Sequence, residues 1–263
     1  MKILVTNDDG IDAPGLQVLA RELQKAGQVI VIAPKQEQSG VGTAISLRQP
    51  IKIDKLNHWG GEIEAYSVEG TPSDSVIIAI QSLFPGEISL VVSGINRGAN
   101  MGHDIFVSGT VGAALQGYLH GILSMAISIN AYSNLNFDAA AKLASLLAIK
   151  IRDGVLCQEA LLNINLPDLP PGEIAGIEIT RLSKQNYCDR VEKDPGDVDA
   201  HYHIMRNNKS PSPHDNPKAD FYALEQNKIS ITPLPDSSVS NSIQHSLKQL
   251  TPIIYNEFRN CTS

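Results

Sequence analysis

The chain has 263 residues, of which 42% are hydrophobic and 19% charged, so it can bury a core of ordinary globular size. The formal net charge is -7 and no dense Lys/Arg cluster occurs, which disfavours a nucleic acid polymer as partner. The three cysteines form no C-x-x-C pattern, which argues against a zinc site or a disulfide framework. Neither a signal peptide nor a membrane-length apolar run occurs, so we expect a cytoplasmic protein with no membrane partner.

Strand and helix patterns alternate through the first 166 residues and predict a doubly wound α/β sheet. The predicted strands cover residues 2–7, 28–33, 51–54, 62–68, 88–93 and 125–130. The predicted helices cover residues 14–27, 71–84, 112–121 and 138–152. The spacing of the first two strands favours a parallel pair with a right-handed crossover.

The second part of the chain, residues 167–263, is expected to complete the same domain after the α/β core of residues 1–166. Strands are predicted at residues 161–166, 174–182 and 229–234, with a linker signal at 167–172. The polar stretch 187–220, with an alternating piece at 200–205, predicts a projecting hairpin or an ordered loop region. The tail carries four apolar residues that we expect to pack on a partner chain, because little sequence surrounds them: Leu247, Leu250, Ile253 and Ile254.

Two adjacent carboxylates, Asp8 and Asp9, follow the first predicted strand and precede Gly10. Ligands of open α/β sheets bind at the carboxyl ends of the strands. Two carboxylates there provide negative charge and hard oxygen ligands, which suit Mg²⁺, Mn²⁺ or Ca²⁺. The alternative is a turn, or a cap for the helix that begins near Pro14. The pair by itself leaves both interpretations open.

Two further polar residues are expected at the same edge of the sheet. Ser39 lies in the glycine-bearing loop after the second predicted strand, and its hydroxyl gains meaning only from that position. Asn96 lies among glycines after the predicted strand 88–93, where its amide oxygen could complete the shell of a cation. The alternative for Asn96 is a tight turn in which the side chain binds its own backbone.

The segment Ser108, Gly109 and Thr110 precedes a helix rich in Ala and Gly. Backbone N–H groups at a helix start can bind phosphate, which makes these residues candidate phosphate ligands; a plain Ser/Thr cap is the alternative. The Walker pattern, a His-x-x-x-His pair and the Gly-x-Ser-x-Gly elbow do not occur. Gly10 also stands where a haloacid-dehalogenase-type phosphatase would need the second Asp of Asp-x-Asp.

Several segments together resemble the SurE family of survival-protein nucleotidases. They are MKILVTNDDGIDAPGL, APKQEQSGVG, VEGTPSDSV, VVSGINRGANMGHDIFVSGTVGAALQG, residues 218–224 and SITPL. The NDDG motif and the SGxNxGxN run, in this order and followed by SGTVGAA, are specific in combination, whereas neither is specific alone. The resemblance covers essentially the whole chain and departs from the family at the Pro/His/Asn-rich insert near residues 207–216.

This resemblance implies a Rossmann-like three-layer α/β core with a mostly parallel sheet, plus a C-terminal β-hairpin and tail used in oligomer contacts. It implies one divalent cation, Mg²⁺ or Mn²⁺, held by Asp8, Asp9, Ser39 and Asn96. It also implies a 5′-nucleotidase, a phosphatase of nucleoside 5′-monophosphates with some activity on 3′-nucleotides and short polyphosphate. The implied assembly is a homodimer, in some members a homotetramer, that exchanges C-terminal elements.

Phosphomonoester hydrolysis is the mechanism that we expect from these residues. The cation would polarise a phosphate oxygen and lower the pKa of a bound water, while Asp8 or Asp9 orients or deprotonates that water. Ser108, Gly109 and Thr110 would donate to the phosphate as charge develops. Two rival classes stay open. One is a regulator that binds metal and nucleotide without catalysis, and the other is a Rossmann dehydrogenase, which would need Gly-x-Gly-x-x-Gly after the first strand.

Overall fold

The computed structural model describes residues 1–61, 63–131, 136–156, 159–184, 188–193, 201–207, 216–234 and 238–260. In chain order their strands are β1 (Lys2–Thr6), β2 (Gln28–Pro34), β3 (Ile53–Leu56), β4 (Glu64–Val68), β5 (Leu90–Arg97), β6 (Ser124–Asn130), β7 (Leu161–Pro167), β8 (Gly176–Ile179), β9 (Cys188–Lys193), β10 (Tyr202–Asn207) and β11 (Lys228–Leu234). Their α-helices are α1 (Pro14–Leu23), α2 (Pro72–Ile78), α3 (Gly109–Leu119), α4 (Asp138–Arg152), α5 (Asp220–Glu225) and α6 (Ser238–Asn260). None of these helices has the length and apolar character that a membrane span requires.

Nine of the strands form one sheet in the order β3-β4-β2-β1-β5-β6-β7-β11-β8, and β9 pairs separately with β10. The six neighbours from β4 to β7 run parallel to one another. At the two sides, β3 is antiparallel to β4, β11 is antiparallel to β7, and β8 is parallel to β11. The predicted mostly parallel sheet is confirmed, and β8 and β11 extend it with residues from the second part of the chain.

Helices cover both faces of the sheet. On one face α1 packs against α4 and α4 against α6, while on the other α2 packs against α3. Along β1, Ile3 and Val5 join the core cluster that contains Leu16 of α1, whereas Leu4 joins the cluster that contains Val76 of α2. A parallel strand buried between two helical layers is apolar on both faces, and this explains the continuous apolar run. The three-layer α/β prediction is confirmed.

Strand β5 is longer than the sequence predicts, because it continues through a glycine. The prediction ends at Ser93, whereas the strand reaches Arg97. Its register against β6 shifts between Ser93 and Asn96, which marks a bulge. At Gly94 φ is +141°, and a Cβ there would lie 2.4 Å from the carbonyl oxygen of Ile127, so a side chain does not fit. The bulge carries Asn96 and Arg97 to the carboxyl end of the strand.

Helices α2 and α3 each begin at a hydroxyl cap. The Thr71 side chain accepts a hydrogen bond from the N–H of Asp74, and the Asp74 carboxylate accepts one from the N–H of Thr71. The helix predicted to end at residue 84 divides into α2 and a π-helical turn over Ala79–Leu83. Ser108 caps α3, so that this helix begins at Gly109 rather than at residue 112.

The C-terminal part differs from its prediction in two places. The predicted hairpin is present as β9 and β10, but β8 is shorter than predicted, and most of the insert at 207–216 lies outside the described residues. Helix α6 buries Leu247, Leu250 and Ile254 against its own chain, whereas Ile253 is half exposed. The premise that these side chains lack neighbours is therefore wrong, because α6 packs on α4 and β8. The exchange of C-terminal elements between chains stays a prediction.

Candidate metal and phosphate site

The sheet has a topological switch point between β1 and β5. The chain moves outward from β1 to β2 and β4, then starts again at β5 and moves the other way through β6 and β7. Ligands of such sheets bind where the strand order reverses, outside the carboxyl ends of the strands. Asp8 and Asp9 follow β1, Ser39 follows β2 and Asn96 lies near the end of β5. The topology thus brings the four predicted cation ligands to one edge of the sheet.

The carboxylate of Asp8 is buried against the first turn of α3. Thr110 Oγ1 donates a hydrogen bond to Asp8 Oδ1 at 2.5 Å. A Cβ on Gly109 would lie 2.7 Å from the Cβ of Asp8, so the approach of the carboxylate to the helix requires glycine there. The alternative role as a cap of α1 does not hold, because the N-cap residue of α1 is Ala13, which makes no side-chain cap bond.

Burial raises the pKa of Asp8 from 3.8 to about 6, because the carboxylate loses its hydration. The hydrogen bond from Thr110 lowers this pKa, and the neighbouring charge of Asp9 raises it, each by less than burial does. At neutral pH the Asp8 carboxylate is ionised, and its burial makes this charged form costly in free energy. A positive charge beside the carboxylate would offset that cost and stabilise the site.

Arg97 supplies a positive charge beside Asp9. Its Nη2 lies 3.3 Å from Asp9 Oδ1 and 3.6 Å from Glu37 Oε1. Burial raises the pKa of Asp9, and the charge and hydrogen bonds of Arg97 oppose that effect. The Asp9 side chain is 7% exposed and that of Arg97 47%. The guanidinium group therefore reaches from the buried acid pair to the solvent, where an anion can meet it.

Ser39 is exposed, and its hydroxyl donates to Glu37 Oε1 at 2.7 Å. Since Glu37 also lies beside Arg97, a series of polar contacts leads from Ser39 to Asp9. A backbone contact fixes the start of this loop, because the N–H of Gln38 donates to the carbonyl oxygen of Asp8 at 2.7 Å. The hydroxyl oxygen of Ser39 keeps lone pairs that could bind a cation.

The side chain of Asn96 binds the backbone of its own turn, as the alternative interpretation predicts. Its side-chain Nδ2 donates to the carbonyl oxygen of Gly98 at 2.8 Å. This bond uses the amide nitrogen and fixes the orientation of the group, so the amide oxygen is the atom suited to bind a cation. The turn and the predicted ligand role are therefore compatible in the same side chain.

The predicted phosphate segment is partly used within the protein. The Ser108 side chain accepts from the N–H of Val111 at 3.1 Å, so the helix-cap alternative is realised. The Ser108 N–H donates to Asp104, and the hydroxyl of Thr110 donates to Asp8. The groups suited to donate to a phosphate are therefore the hydroxyl of Ser108 and the backbone amide of Gly109 at the start of α3.

Sequence reasoning missed Arg97, Glu37 and the contact of Thr110 with Asp8. Arg97 lies in the SGINRGAN run directly after Asn96, and a positively charged side chain next to a predicted metal ligand is a signal that the sequence offers. No sequence signal indicates that Glu37 meets Arg97 or that Thr110 meets Asp8, because these pairs lie far apart along the chain.

The predicted ligands at this edge of the sheet are oxygen donors. Within the described ranges, no three His, Cys, Asp or Glu side chains come together as a metal cluster. A cation would therefore depend on two carboxylates, Asp8 and Asp9, with the neutral oxygens of Ser39 and Asn96. All four are hard oxygen donors of the kind that Mg²⁺ and Mn²⁺ prefer. The raised pKa of Asp8 marks a buried carboxylate that gains from such a charge. The residues fit the cation.

A buried acid pair at the switch point of a parallel sheet, beside the capped start of a helix, defines a Rossmann-like α/β protein with an acidic, oxygen-rich site. The family model described as Survival protein SurE matches residues 3–189. The chain belongs to the SurE family.

Relatives and a solved structure extend this match over nearly the full chain. A protein of Dehalococcoides mccartyi named 5′-nucleotidase SurE is 43% identical over 236 residues, which are 89% of this chain and 88% of the relative. A protein of the same name from Moorella thermoacetica is 42% identical over 248 residues, 94% and 95% of the two chains. The crystal structure of the SurE protein from Aquifex aeolicus is similar with a TM-score of 0.76 at 32% identity, covering 95% of this chain and 99% of that one.

Proposed function

We propose that this protein is a divalent-metal-dependent phosphatase that hydrolyses nucleoside 5′-monophosphates, with 3′-nucleotides and short polyphosphate as secondary substrates. The observation that carries the proposal is the buried pair of Asp8 and Asp9 at the switch point, with the start of α3 beside it. Membership of the SurE family and relatives named 5′-nucleotidase support the nucleotide as substrate.

The cation would be Mg²⁺ or Mn²⁺, with Asp8, Asp9, Ser39 and Asn96 as its protein ligands. When bound, it would supply Lewis-acid polarisation of the ester and a lower pKa for water. The support for this set is chemical: four oxygen donors on three neighbouring strand ends, two of them carboxylates removed from water.

The residues of the chain have separate tasks in the proposed reaction. A water oxygen bonds to phosphorus while the bond between phosphorus and the 5′ oxygen breaks. The carboxylate of Asp8 or Asp9 accepts the proton of that water and passes it to solvent, while the leaving 5′ oxygen takes up a proton from solvent to give the nucleoside. Thr110 holds Asp8 in place for this transfer. Arg97 and the amide of Gly109 offer donors for the negative charge of the phosphate.

A phosphate-release assay tests the proposal. The panel contains nucleoside 5′- and 3′-monophosphates and short polyphosphate, each with Mg²⁺, with Mn²⁺ and with EDTA. We expect release from the 5′-monophosphates that EDTA abolishes, and a loss of at least about 100-fold in kcat for Asp8→Asn at saturating metal. Near wild-type turnover in Asp8→Asn, or release that persists in EDTA, would contradict the proposal. Nucleotide binding without any release would favour the non-catalytic regulator instead.

We also infer that the chain forms a homodimer, with a homotetramer as the larger form. The support is an apolar face on the β9–β10 hairpin, where Val191 and Ile204 are opposite one another and Tyr202 lies on the same face, all exposed. Light scattering of the wild type and of Val191→Lys with Ile204→Lys tests this. A wild type that is monomeric at micromolar concentration would contradict it.

A further inference from the structure

A cleft of about 480 Å³ lies beside the acid pair, outside the strands β2 and β4. This volume is in the range of sites that hold small molecules. The polar residues that line it are Lys35, Gln36, Gln38, Ser46, Glu69 and Thr71. None of these residues has a task in the proposed phosphate chemistry.

The walls of the cleft are built by hydrogen bonds between two segments. Residues 35–46, which we call the arch, leave β2 and return to the start of α2. Thr71 Oγ1 donates to the carbonyl oxygen of Ala44 at 2.7 Å. The N–H and the hydroxyl of Ser46 donate to the buried carboxylate of Asp74 at 2.9 and 2.7 Å. The cleft is therefore an ordered cavity between the arch and residues 68–71.

The cleft is connected to the acid pair. Gln38 lines it, and the N–H of Gln38 donates to the carbonyl oxygen of Asp8. Glu69 follows β4, which lies two strands from β1, so the ends of these strands are about 10 Å apart. A molecule that reaches from the acid pair into the cleft therefore has the length of a phosphate joined to a sugar and a base.

The balance of charges in the cleft favours an uncharged part of a ligand. Lys35 Nζ lies 2.9 Å from Glu69 Oε1, and Lys52 Nζ lies 3.8 Å from the same oxygen and 2.8 Å from Asp54 Oδ2, so the charges around Glu69 balance one another. The other polar lining groups are the amides of Gln36 and Gln38 and the hydroxyls of Ser46 and Thr71, which already donate to Asp74 and Ala44, so the two amides are the neutral groups best suited to a ligand. An amide side chain offers both a donor and an acceptor, as a base edge and ribose hydroxyls require.

We propose that this cleft binds the nucleoside part of the substrate, by hydrogen bonds to its base and ribose, while the phosphate lies at the acid pair. The proposal rests on the proposed phosphatase function and makes the cleft the source of nucleotide selectivity. Gln36 and Glu69 are the side chains best placed to contact the nucleoside, because neither supports the arch through a side-chain bond to Asp74 or Ala44.

The test compares a nucleotide with a phosphate ester that has no sugar or base. The ratio of kcat/KM for AMP to kcat/KM for p-nitrophenyl phosphate is measured with Mn²⁺, and likewise for the other nucleoside 5′-monophosphates. In the double variant Gln36→Ala, Glu69→Gln we expect this ratio to fall at least about tenfold, mainly through a higher KM for the nucleotide. The matched control is Glu64→Gln, which removes the ion pair with Lys55 outside the cleft and should leave the ratio unchanged.

Two results would overturn the inference. One is an unchanged ratio in the double variant, whether both substrates keep their kcat/KM or lose it equally, and the other is a fall in the ratio that occurs in Phe106→Ala but not in the double variant. Phe106 is an exposed ring near Ser108, so the last result would place the nucleoside on the other side of the site.

Failure of the proposed function is recognised separately. Wild-type protein that releases no phosphate from any substrate would refute the phosphatase and leave the cleft to be judged by calorimetric binding of AMP. In the calorimetric experiment, a Kd for AMP at least about tenfold higher in the double variant than in wild type and in Glu64→Gln supports nucleoside binding in the cleft. An equal Kd in all three proteins, or no binding, overturns it.

Discussion

Thr110 Oγ1 donates a hydrogen bond of 2.5 Å to Asp8 Oδ1, between residues that are 102 positions apart in the chain. The bond joins the loop after β1 to the first turn of α3 and holds a buried carboxylate at the switch point of the sheet.

The first prediction concerns the hydroxyl of Thr110. Thr110→Val keeps the shape of the side chain and removes the donor, so Asp8 loses a charge-assisted bond worth about 1–3 kcal/mol. We expect the free energy of unfolding at neutral pH to fall by about that amount and kcat to fall about 10- to 100-fold, as Asp8 loses its fixed position. Urea unfolding and phosphate release measure the two effects. Thr110→Ser retains the donor and should lie close to wild type; equal losses in both variants would point to packing instead.

The second prediction concerns the stability of the metal-free protein. The pKa of Asp8 is about 6 in the folded protein and 3.8 in the reference state, so the folded state binds more protons between these values. The contribution of Asp8 to stability is therefore most favourable below about pH 4, falls as pH rises to about 6 and is level above that. Asp8→Asn removes the buried charge and should raise the free energy of unfolding at neutral pH by about 1–3 kcal/mol in EDTA. The gain should vanish near pH 4; a destabilised Asp8→Asn at neutral pH would contradict the account.

The third prediction concerns the affinity for Mn²⁺. A proton and a cation compete for the carboxylate of Asp8. The affinity for Mn²⁺ should therefore rise about tenfold per pH unit below about pH 6 and level off above it. Calorimetric titration between about pH 5 and pH 8 gives the dependence. Asp8→Asn should bind Mn²⁺ weakly and without this pH dependence. Equal affinity at both ends of the range in wild type would place the cation elsewhere.

The fourth prediction concerns the glycine that precedes Thr110. In Gly109→Ala the new methyl group would lie 2.7 Å from the Cβ of Asp8, so the loop or the helix must shift. We expect a loss of about 1–3 kcal/mol in unfolding free energy and a larger proportional loss in Mn²⁺ affinity. Thermal unfolding with and without Mn²⁺ measures both. The control is Gly172→Ala, where a Cβ meets no atom within 4 Å. The same small effect in both variants would show that the approach of Asp8 to α3 is not tight.

The local sequence predicted elements that depend on neighbouring residues. The apolar run before Asn7 predicts β1, and the Thr71–Asp74 pair predicts a capped helix start, because each pattern acts within a few residues. The predicted helix 138–152 matches α4 in both bounds. The end of β5 was missed, because the backbone at Gly94 is chosen by the closeness of Ile127 on β6, which no local pattern reveals.

The sequence likewise predicts some residues of the candidate site but not the contacts between them. Asp8, Asp9, Ser39 and Asn96 could be named from the sequence, since each follows a predicted strand, and the family resemblance selects the same residues. Their roles as ligands stay predictions. The contact of Arg97 with Asp9 and Glu37, and the contact of Thr110 with Asp8, could not be named, because they join loops from different strands.

The sequence by itself determined the class of fold, the acid pair and the order of the polar loops, because hydrophobic periodicity and short motifs are local properties of the chain. Only the tertiary structure decided how far each acid is buried, which side chains bond to it and where a cleft opens beside it. Burial and cross-loop contacts depend on the packing of strands and helices that are distant in sequence. These distant contacts bury the carboxylate of Asp8, and this burial raises its pKa to about 6.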